Sequence, residues 1–466
     1  MRTALAGAAA AAVLALCACL PVPGPAALSA EDVFEASKPA VAMVETDNAV
    51  TWSVPQPVLT TQKEQQLRNQ VVAMVRAGQV ANNETAIGQA SVRLLVDNPA
   101  AWFSAGGQRH QQTDSVLAIG TGFFVTEDGY LLTNDHVVQT SMDDVRQQLL
   151  DQLQRAGGDA TALAAFRDET SKGLGVPLTD VQAARLFQWM LGVFKTDLRV
   201  VTVTPTYRIG FGTISPNDVQ AKGLQVQLVA HGEATPGRDV AVLKAAGGPF
   251  VSLASASSLP GRGAALAVIG YPCRCGDGTA FDPSRPLQPV LTSGSAREEV
   301  AMDGGWNALG TDAPIEHGNS GGPVLDDAGR VVGLATFSDA AAAGTPRSFA
   351  VPIAVTAQFT RDAHVRPAQG PLGKKYMQAV SEFRQQHFKT ALPLFQQVAA
   401  VDHRDPYASS YVAQSQRAIA AGRDQTPPLM GALPVLAVAV YVMVSAAAVA
   451  AGVVVYRRRR GAGRGW

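Results

Sequence analysis

The chain has 466 residues, 38 basic and 38 acidic side chains, and an apolar content of 47%. That length allows about two or three domains, and the charge balance leaves no global field for nucleic acid. Both ends are membrane-like, which accounts for much of the apolar fraction.

In chain order, residues 1–30 read as a signal peptide. Arg2 precedes an Ala/Leu/Val run to Leu20, then a Pro-containing stretch and small residues at Ser29-Ala30. A retained N-terminal anchor is the alternative. Lipidation at Cys19 is disfavoured, because Cys17-Ala18-Cys19 puts a cysteine at an unusual place for such a site. The domain from 31 to 365 opens with an alternating strand over 40–46 and continues into a helical insert over 62–95. Strand character returns from Gln111 to Thr126, and Glu127-Asp128-Gly129 marks a hairpin turn. The return strand, Tyr130 to Thr133, delivers Asn134-Asp135-His136 at its end. Over 141–195, Val145, Leu149, Leu150 and Leu153, then Ala184, Leu186 and Leu191, sit at helical spacing, which predicts an inserted helical subdomain or lid. Strands follow at 198–206 and 224–230, and Asp239 stands at the start of the apolar run Val240 to Leu243. Further short strands at 264–269, 289–293 and 349–353 complete a pattern expected of a pair of β-barrels.

The C-terminal part changes character. Over 374–422, Ala379, Phe383, Phe388, Ala391, Phe395 and Val398 recur at helical steps and resemble one tetratricopeptide repeat with part of the next, a plain helical stalk being the alternative. A single repeat cannot bury its apolar face alone, so it is expected to pack on the preceding domain, on a protein partner or on a second copy. Residues 423–428 form a Pro-containing linker. Residues 429–456 are apolar and uncharged, long enough to span a bilayer. The basic block Arg457 to Arg460 heads the 457–466 tail and predicts a cytoplasmic C-terminus with 31–428 outside. That block is the sole basic cluster and suits anionic lipid. With the signal peptide removed, Cys273 and Cys275 remain, a disulfide candidate in an oxidising compartment or two free thiols. They lack further metal ligands nearby, and no cofactor is implied.

Chemistry concentrates at Gly318-Asn319-Ser320-Gly321-Gly322-Pro323. Glycines admit positive φ and let backbone N–H groups converge, so the stretch suits a nucleophilic serine on a tight turn. The N–H groups of Gly318 and Ser320 would form its oxyanion hole. An ordinary Gly-rich hairpin is the alternative. A serine nucleophile needs a base, and the base needs a carboxylate to fix its tautomer. Of the seven histidines, only His136 ends a strong strand hairpin.

Three segments carry a family resemblance. Gly120-Thr121-Gly122-Phe123 leading to Thr133-Asn134-Asp135-His136-Val137-Val138 resembles the histidine motif of trypsin-like peptidases of the high-temperature-requirement (Deg) type. Arg238-Asp239-Val240-Ala241-Val242-Leu243 resembles their acid motif. Thr311-Asp312-Ala313 through Pro323 resembles their nucleophile motif, and Phe349 to Ile353 their closing strand. The likeness covers about 35–50 and 115–365. It implies a mainly β, chymotrypsin-like double β-barrel with helical insertions, to which the spacing over 374–422 and the apolar run over 429–456 add a small helical repeat-like segment and one transmembrane helix. It further implies His136 as general base, Asp239 as its orienting acid and Ser320 as nucleophile. Asp135 is expected to face away from the site as a strand neighbour, and Asp312 to be structural. Pro314, six residues before the nucleophile, would floor the first substrate pocket, with Thr336, Phe337 and Ser338 as a wall. No carboxylate lies at that floor, which disfavours Lys and Arg and favours a small or medium apolar side chain.

The chain also departs from the family pattern. His136 and Asp239 lie 103 residues apart, a long gap caused by the helical insert. No peptide-binding domain of the PDZ type follows, and Glu316-His317 stand where the family often has Asn-Pro. The expectation is a membrane-anchored, extracytoplasmic serine endopeptidase cutting proteins or peptides through an acyl-enzyme, in envelope quality control or processing. The alternative is a silent or latent scaffold presenting the helical repeat. An α/β-hydrolase esterase is opposed by the order His, Asp, Ser.

Overall fold

The computed structural model describes residues 28–273, 282–339, 347–427, 442–447 and 449–450. Residues 1–27 of the predicted signal peptide, Cys275, most of the predicted 429–456 span and the 457–466 tail lie outside the described residues. Among those described, no helix is long and apolar enough to cross a membrane.

The chain divides after Gly373. In the first unit, Ser29 caps α1 (Ala30–Ser37) by accepting from the Asp32 N–H. Then come β1 (Val41–Leu59), α2 (Thr61–Arg76), α3 (Glu84–Asp97), α4 (Pro99–Trp102) and β2 (Phe103–Phe124). A turn leads to β3 (Tyr130–Thr133), followed by α5 (Asp135–Val138), α6 (Met142–Ala156), α7 (Ala160–Leu174) and α8 (Asp180–Asp197). The first barrel is completed by β4 (Arg199–Gly210), β5 (Leu224–His231) and β6 (Ala241–Ala245), with α9 (Pro216–Lys222) between β4 and β5. It closes in the order β1-β2-β3-β6-β5-β4.

The second barrel comprises β7 (Ala265–Gly270), β8 (Val290–Met302), β9 (Trp306–Thr311), β10 (Pro323–Leu325), β11 (Val331–Asp339) and β12 (Arg347–Pro352), closed as β10-β11-β12-β9-β8-β7. A helix, α10 (Ile353–Asp362), follows. Alternate inward residues fill each barrel, as pleated strands require. Val44, Phe124, Leu131, Leu243 and Phe250 fill the first, with Phe124 stacked on Phe250 at 4.2 Å. Leu266, Val268, Leu309, Val324 and Val332 fill the second.

β1 and β2 are much longer than the sequence predicts. They pair from Val41↔Phe123 out to Leu59↔Phe103, a two-stranded ribbon that runs beyond the barrel. Trp52, Val54 and Val116 of the ribbon bury against Val145 and Leu149 of α6 and Leu191 and Phe194 of α8. The 62–95 insert becomes α2 and α3, and α3 packs Val92 and Val96 on Leu186 of α8. The two insertions thus form one helical cap on the ribbon, joined also by the Arg185–Asp97 ion pair (2.9 Å). β9, α5, α9 and α10 are elements the sequence reading does not anticipate.

In the second unit the described chain is helical: α11 (Pro371–Arg384), α12 (Phe388–Val401) and α13 (Ala408–Ala420). Phe383, Phe395 and Tyr411 pack at its centre, Phe395 stacked on Tyr411 at 4.6 Å and Phe383 edge-on to Tyr411 at 4.8 Å. Such contacts contribute about 0.5–1.5 kcal/mol each beyond buried area. Residues 442–447 and 449–450 are helical.

Candidate active site

β3 pairs antiparallel with β6, Thr133 opposite Ala241, so the segments that follow β3 and precede β6 meet at one end of the barrel. After β3 the chain turns through Asn134 into α5, which carries His136. Asn134 Nδ2 donates to the Asp239 carbonyl at 2.7 Å and fixes that crossing. The Asp239 side chain is 0% exposed and collects three donors. The His136 N–H reaches Oδ1 at 3.0 Å; His136 Nδ1 and the Thr336 hydroxyl reach Oδ2 at 2.7 and 2.6 Å. Burial alone would raise the Asp239 pKa. The hydrogen bond and charge of His136, with the Thr336 donor, more than offset it and hold the carboxyl below its ordinary value. For His136 burial opposes protonation, but the Asp239 bond and charge, aided by Asp135 and Asp144, hold the imidazole above its ordinary value. An anionic Asp239 selects the tautomer with hydrogen on Nδ1, leaving Nε2 as a proton acceptor.

The nucleophile turn leads into β10. Gly318 has φ +92° and Gly321 φ +83°. A Cβ at Gly318 would collide with the Tyr271 carbonyl, and one at Gly321 with the Thr121 carbonyl and the Thr133 hydroxyl, so glycine is required at both. The His317 carbonyl accepts from the Cys273 N–H at 2.8 Å. Because the peptide is planar and trans, the Gly318 N–H is turned to the opposite side. Neither that N–H nor the Ser320 N–H donates to an acceptor among the described residues. The two groups predicted as the oxyanion hole are thus unengaged. The Ser320 hydroxyl donates to the Thr336 carbonyl at 3.0 Å rather than to His136. The structure joins His136 to Asp239 and, among the described residues, gives Ser320 no hydrogen bond to His136.

Thr336 differs from its predicted place in the pocket wall. It is buried, with its hydroxyl on Asp239 and its carbonyl on Ser320, so it links those two residues. A threonine at the end of a run of six buried residues, two before an exposed Ser338, carries no sequence signal of that contact. Pro314 is exposed and its carbonyl accepts from the Thr292 hydroxyl at 2.8 Å. The Ser338 hydroxyl donates to the Ile315 carbonyl at 2.8 Å, and Phe337 stacks on Phe349 at 4.8 Å. Asp312 accepts from the Ser295 N–H at 2.5 Å and from Arg297, a structural role. Asp135 sits on a helix, not a strand. Its Oδ1 meets His231 Nδ1 at 2.9 Å, and burial lifts its pKa to about 6 against the lowering effect of His231. Cys273 is disulfide-bonded, and its predicted partner Cys275 lies outside the described residues. Among the described residues no group of three or more His, Cys, Asp or Glu is arranged to hold a metal ion.

Residues 222–334, from the end of α9 into the first part of β11, match the family model for the trypsin-like peptidase domain. The chain carries a trypsin-like peptidase domain. A serine protease HTR4 of Rattus norvegicus is 39% identical over 100 residues, 20% of each chain. A probable periplasmic serine endoprotease, DegP-like, of Rhizobium meliloti (strain 1021) is 30% identical over 137 residues, 28% of this chain and 25% of that one. The chain therefore spans a quarter or less of these relatives' lengths. The active-form crystal structure of the Rv3671c protease from M. tuberculosis aligns at 15% identity over 75% of this chain and 96% of that one, with a TM-score of 0.35.

Proposed function

We propose that the chain is a serine endopeptidase in which His136, oriented by Asp239, takes the proton of Ser320 as the hydroxyl attacks a peptide carbonyl. The carbonyl oxygen becomes an oxyanion received by the N–H groups of Gly318 and Ser320, the amine leaves with the proton from His136, and water hydrolyses the acyl-enzyme. The observation that carries this reading is the buried Asp239 carboxylate on His136 Nδ1, linked through Thr336 to a turn whose Gly318 and Ser320 N–H groups meet no acceptor among the described residues. The test is fluorophosphonate labelling of the full-length chain beside Ser320→Ala and His136→Ala. Labelling of the wild type and its loss in both variants is the expected result; equal labelling of Ser320→Ala sinks the assignment.

The finer picture belongs to the same proposal. The signal-peptide-like residues 1–30 and the apolar 429–456 stretch followed by four arginines support an anchored, extracytoplasmic enzyme. The spacing of apolar residues over 374–422 supports a tetratricopeptide-like module for a protein partner or a second copy. Processing or quality control of envelope proteins suits that location. Pro314 as pocket floor, with Phe337 and Ser338 read as its wall, supports a small or medium apolar side chain ahead of the cleaved bond. A latent resting state is favoured by one observation: the Ser320 hydroxyl is held on the Thr336 carbonyl. Deleting residues 141–195 and repeating the labelling tests whether the insert maintains that state.

A further inference from the structure

The nucleophile turn belongs to the second barrel, yet part of its geometry is set by the first. Thr121, on β2, is fully buried (0% exposed), and each of its polar groups is spent at or beside that turn. Its N–H donates to the Ser320 carbonyl at 2.8 Å. Its hydroxyl donates to the Gly318 carbonyl at 2.6 Å and accepts from the Tyr271 N–H at 2.9 Å. Its carbonyl accepts from the Thr133 hydroxyl at 2.7 Å, which ties it to the strand that delivers His136.

A trans peptide is a rigid plane, so fixing a carbonyl also fixes the N–H of the next residue. The Cys273 N–H fixes the plane that carries the Gly318 N–H. The next plane, between Gly318 and Asn319, is held by the Thr121 hydroxyl, and the Asn319 N–H at its other edge donates to the Glu316 carbonyl at 3.0 Å. The Ser320 N–H lies on the plane after that, whose Asn319 carbonyl accepts from the Gly322 N–H at 2.9 Å, and the plane beyond it is held by the Thr121 N–H on the Ser320 carbonyl. Glycine at 318 gives the backbone little resistance to rotation, so these anchors, with the Thr121 bonds on the planes between and after the two N–H groups, set where those groups point. Resting on the peptidase reading above, we propose that Thr121 is a positioning residue for the oxyanion hole. Its hydroxyl, bridging Tyr271 and Gly318, keeps the Gly318 and Ser320 N–H groups convergent. The first barrel thereby supplies the base and also locks the turn that the nucleophile stands on.

Thr121→Val keeps the shape and removes both hydroxyl bonds. The measurement is the second-order rate of fluorophosphonate labelling, with kcat and KM for p-nitrophenyl acetate, on the full-length chain. Losing an oxyanion donor lowers turnover on the order of 10²-fold. That loss is expected in kcat and in the labelling rate of Thr121→Val, with KM unchanged, while Thr121→Ser stays close to wild type. If Thr121→Val fails to fold, Thr121→Ser against Thr121→Ala isolates the same hydroxyl. A folded Thr121→Val that labels at the wild-type rate overturns the proposal, as does a loss confined to thermal stability. A folded wild type that never labels, either intact or after deletion of residues 141–195, refutes the peptidase reading instead. Crystal structures of wild type and Thr121→Val then decide about the turn alone. Rotation of the Gly318 carbonyl supports the lock, and an unmoved turn overturns it.

Discussion

Glu45 is the sharpest electrostatic anomaly in the first barrel. It lies on β1 opposite Ile119 of β2 and Arg208 of β4, is 1% exposed, and neither carboxylate oxygen has a hydrogen-bond partner. Burial, then the charge of Asp47, lifts its pKa from 4.5 to about 7, with Arg208 pulling the other way. The folded pKa lies above the unfolded one, so the folded state retains a proton that the unfolded state releases between them. The stabilising contribution is present below about pH 4.5 and is lost as the pH rises through about 7. By linkage the loss amounts to about 1 kcal/mol at pH 5 and about 3 kcal/mol at pH 8. Glu45→Gln keeps the shape of the neutral acid and cannot ionise. Relative to wild type it is therefore expected to gain about 2–3 kcal/mol between those two pH values. Denaturant unfolding of both proteins at each pH, followed by tryptophan fluorescence, reads the difference directly. Parallel stability curves for wild type and Glu45→Gln across that range would refute the reasoning.

Other outcomes follow from the site. Because Asp239 holds the His136 imidazole above its ordinary value, labelling should fall with decreasing pH along a limb centred above about 6.5. Asp239→Asn, which loses the charge and the correct tautomer, should lower kcat by about 10⁴-fold and move that limb down; a pH–rate profile checks both. Thr336→Val removes a donor to a buried carboxylate and should lower kcat/KM by roughly tenfold, consistent with about 1.5 kcal/mol for a hydrogen bond to a charged group. Gly318→Ala should abolish labelling, since its Cβ would meet the Tyr271 carbonyl at a positive φ, and unchanged labelling would contradict the described turn.

The motif residues were legible because their chemistry is local. Gly318, Ser320 and Gly321 announce a turn by composition, and an acid or a histidine at a strand end is visible as such. What escaped the sequence depends on pairing across the fold. Most of β2 beyond the barrel is Gly- and Gln-rich and reads as loop, yet it is a strand because β1 pairs with it residue by residue. Asp135 follows a strand without a break in the sequence, but the backbone at Asn134 (φ −80°, ψ 154°) begins a helical turn, which sends Asp135 to His231. Thr336 reads as a neutral residue on an apolar strand; only closure of the second barrel against the first sets its hydroxyl on Asp239. β9 was missed although Trp306 and Ala308 are buried around an exposed Asn307, a short alternation that β8 and β12 complete on either side.

The two helical insertions leave the first barrel between Leu59 and Phe103 and between Val138 and Arg199. Neither interval contains His136, Asp239, Thr121 or any residue of the nucleophile turn. Changes to the cap are therefore written in stretches of gene separate from those that encode His136, Asp239 and the Ser320 turn. Recombination or gradual drift can remodel one surface of the molecule while every bond around Ser320 is inherited intact, so the two can diverge at different rates.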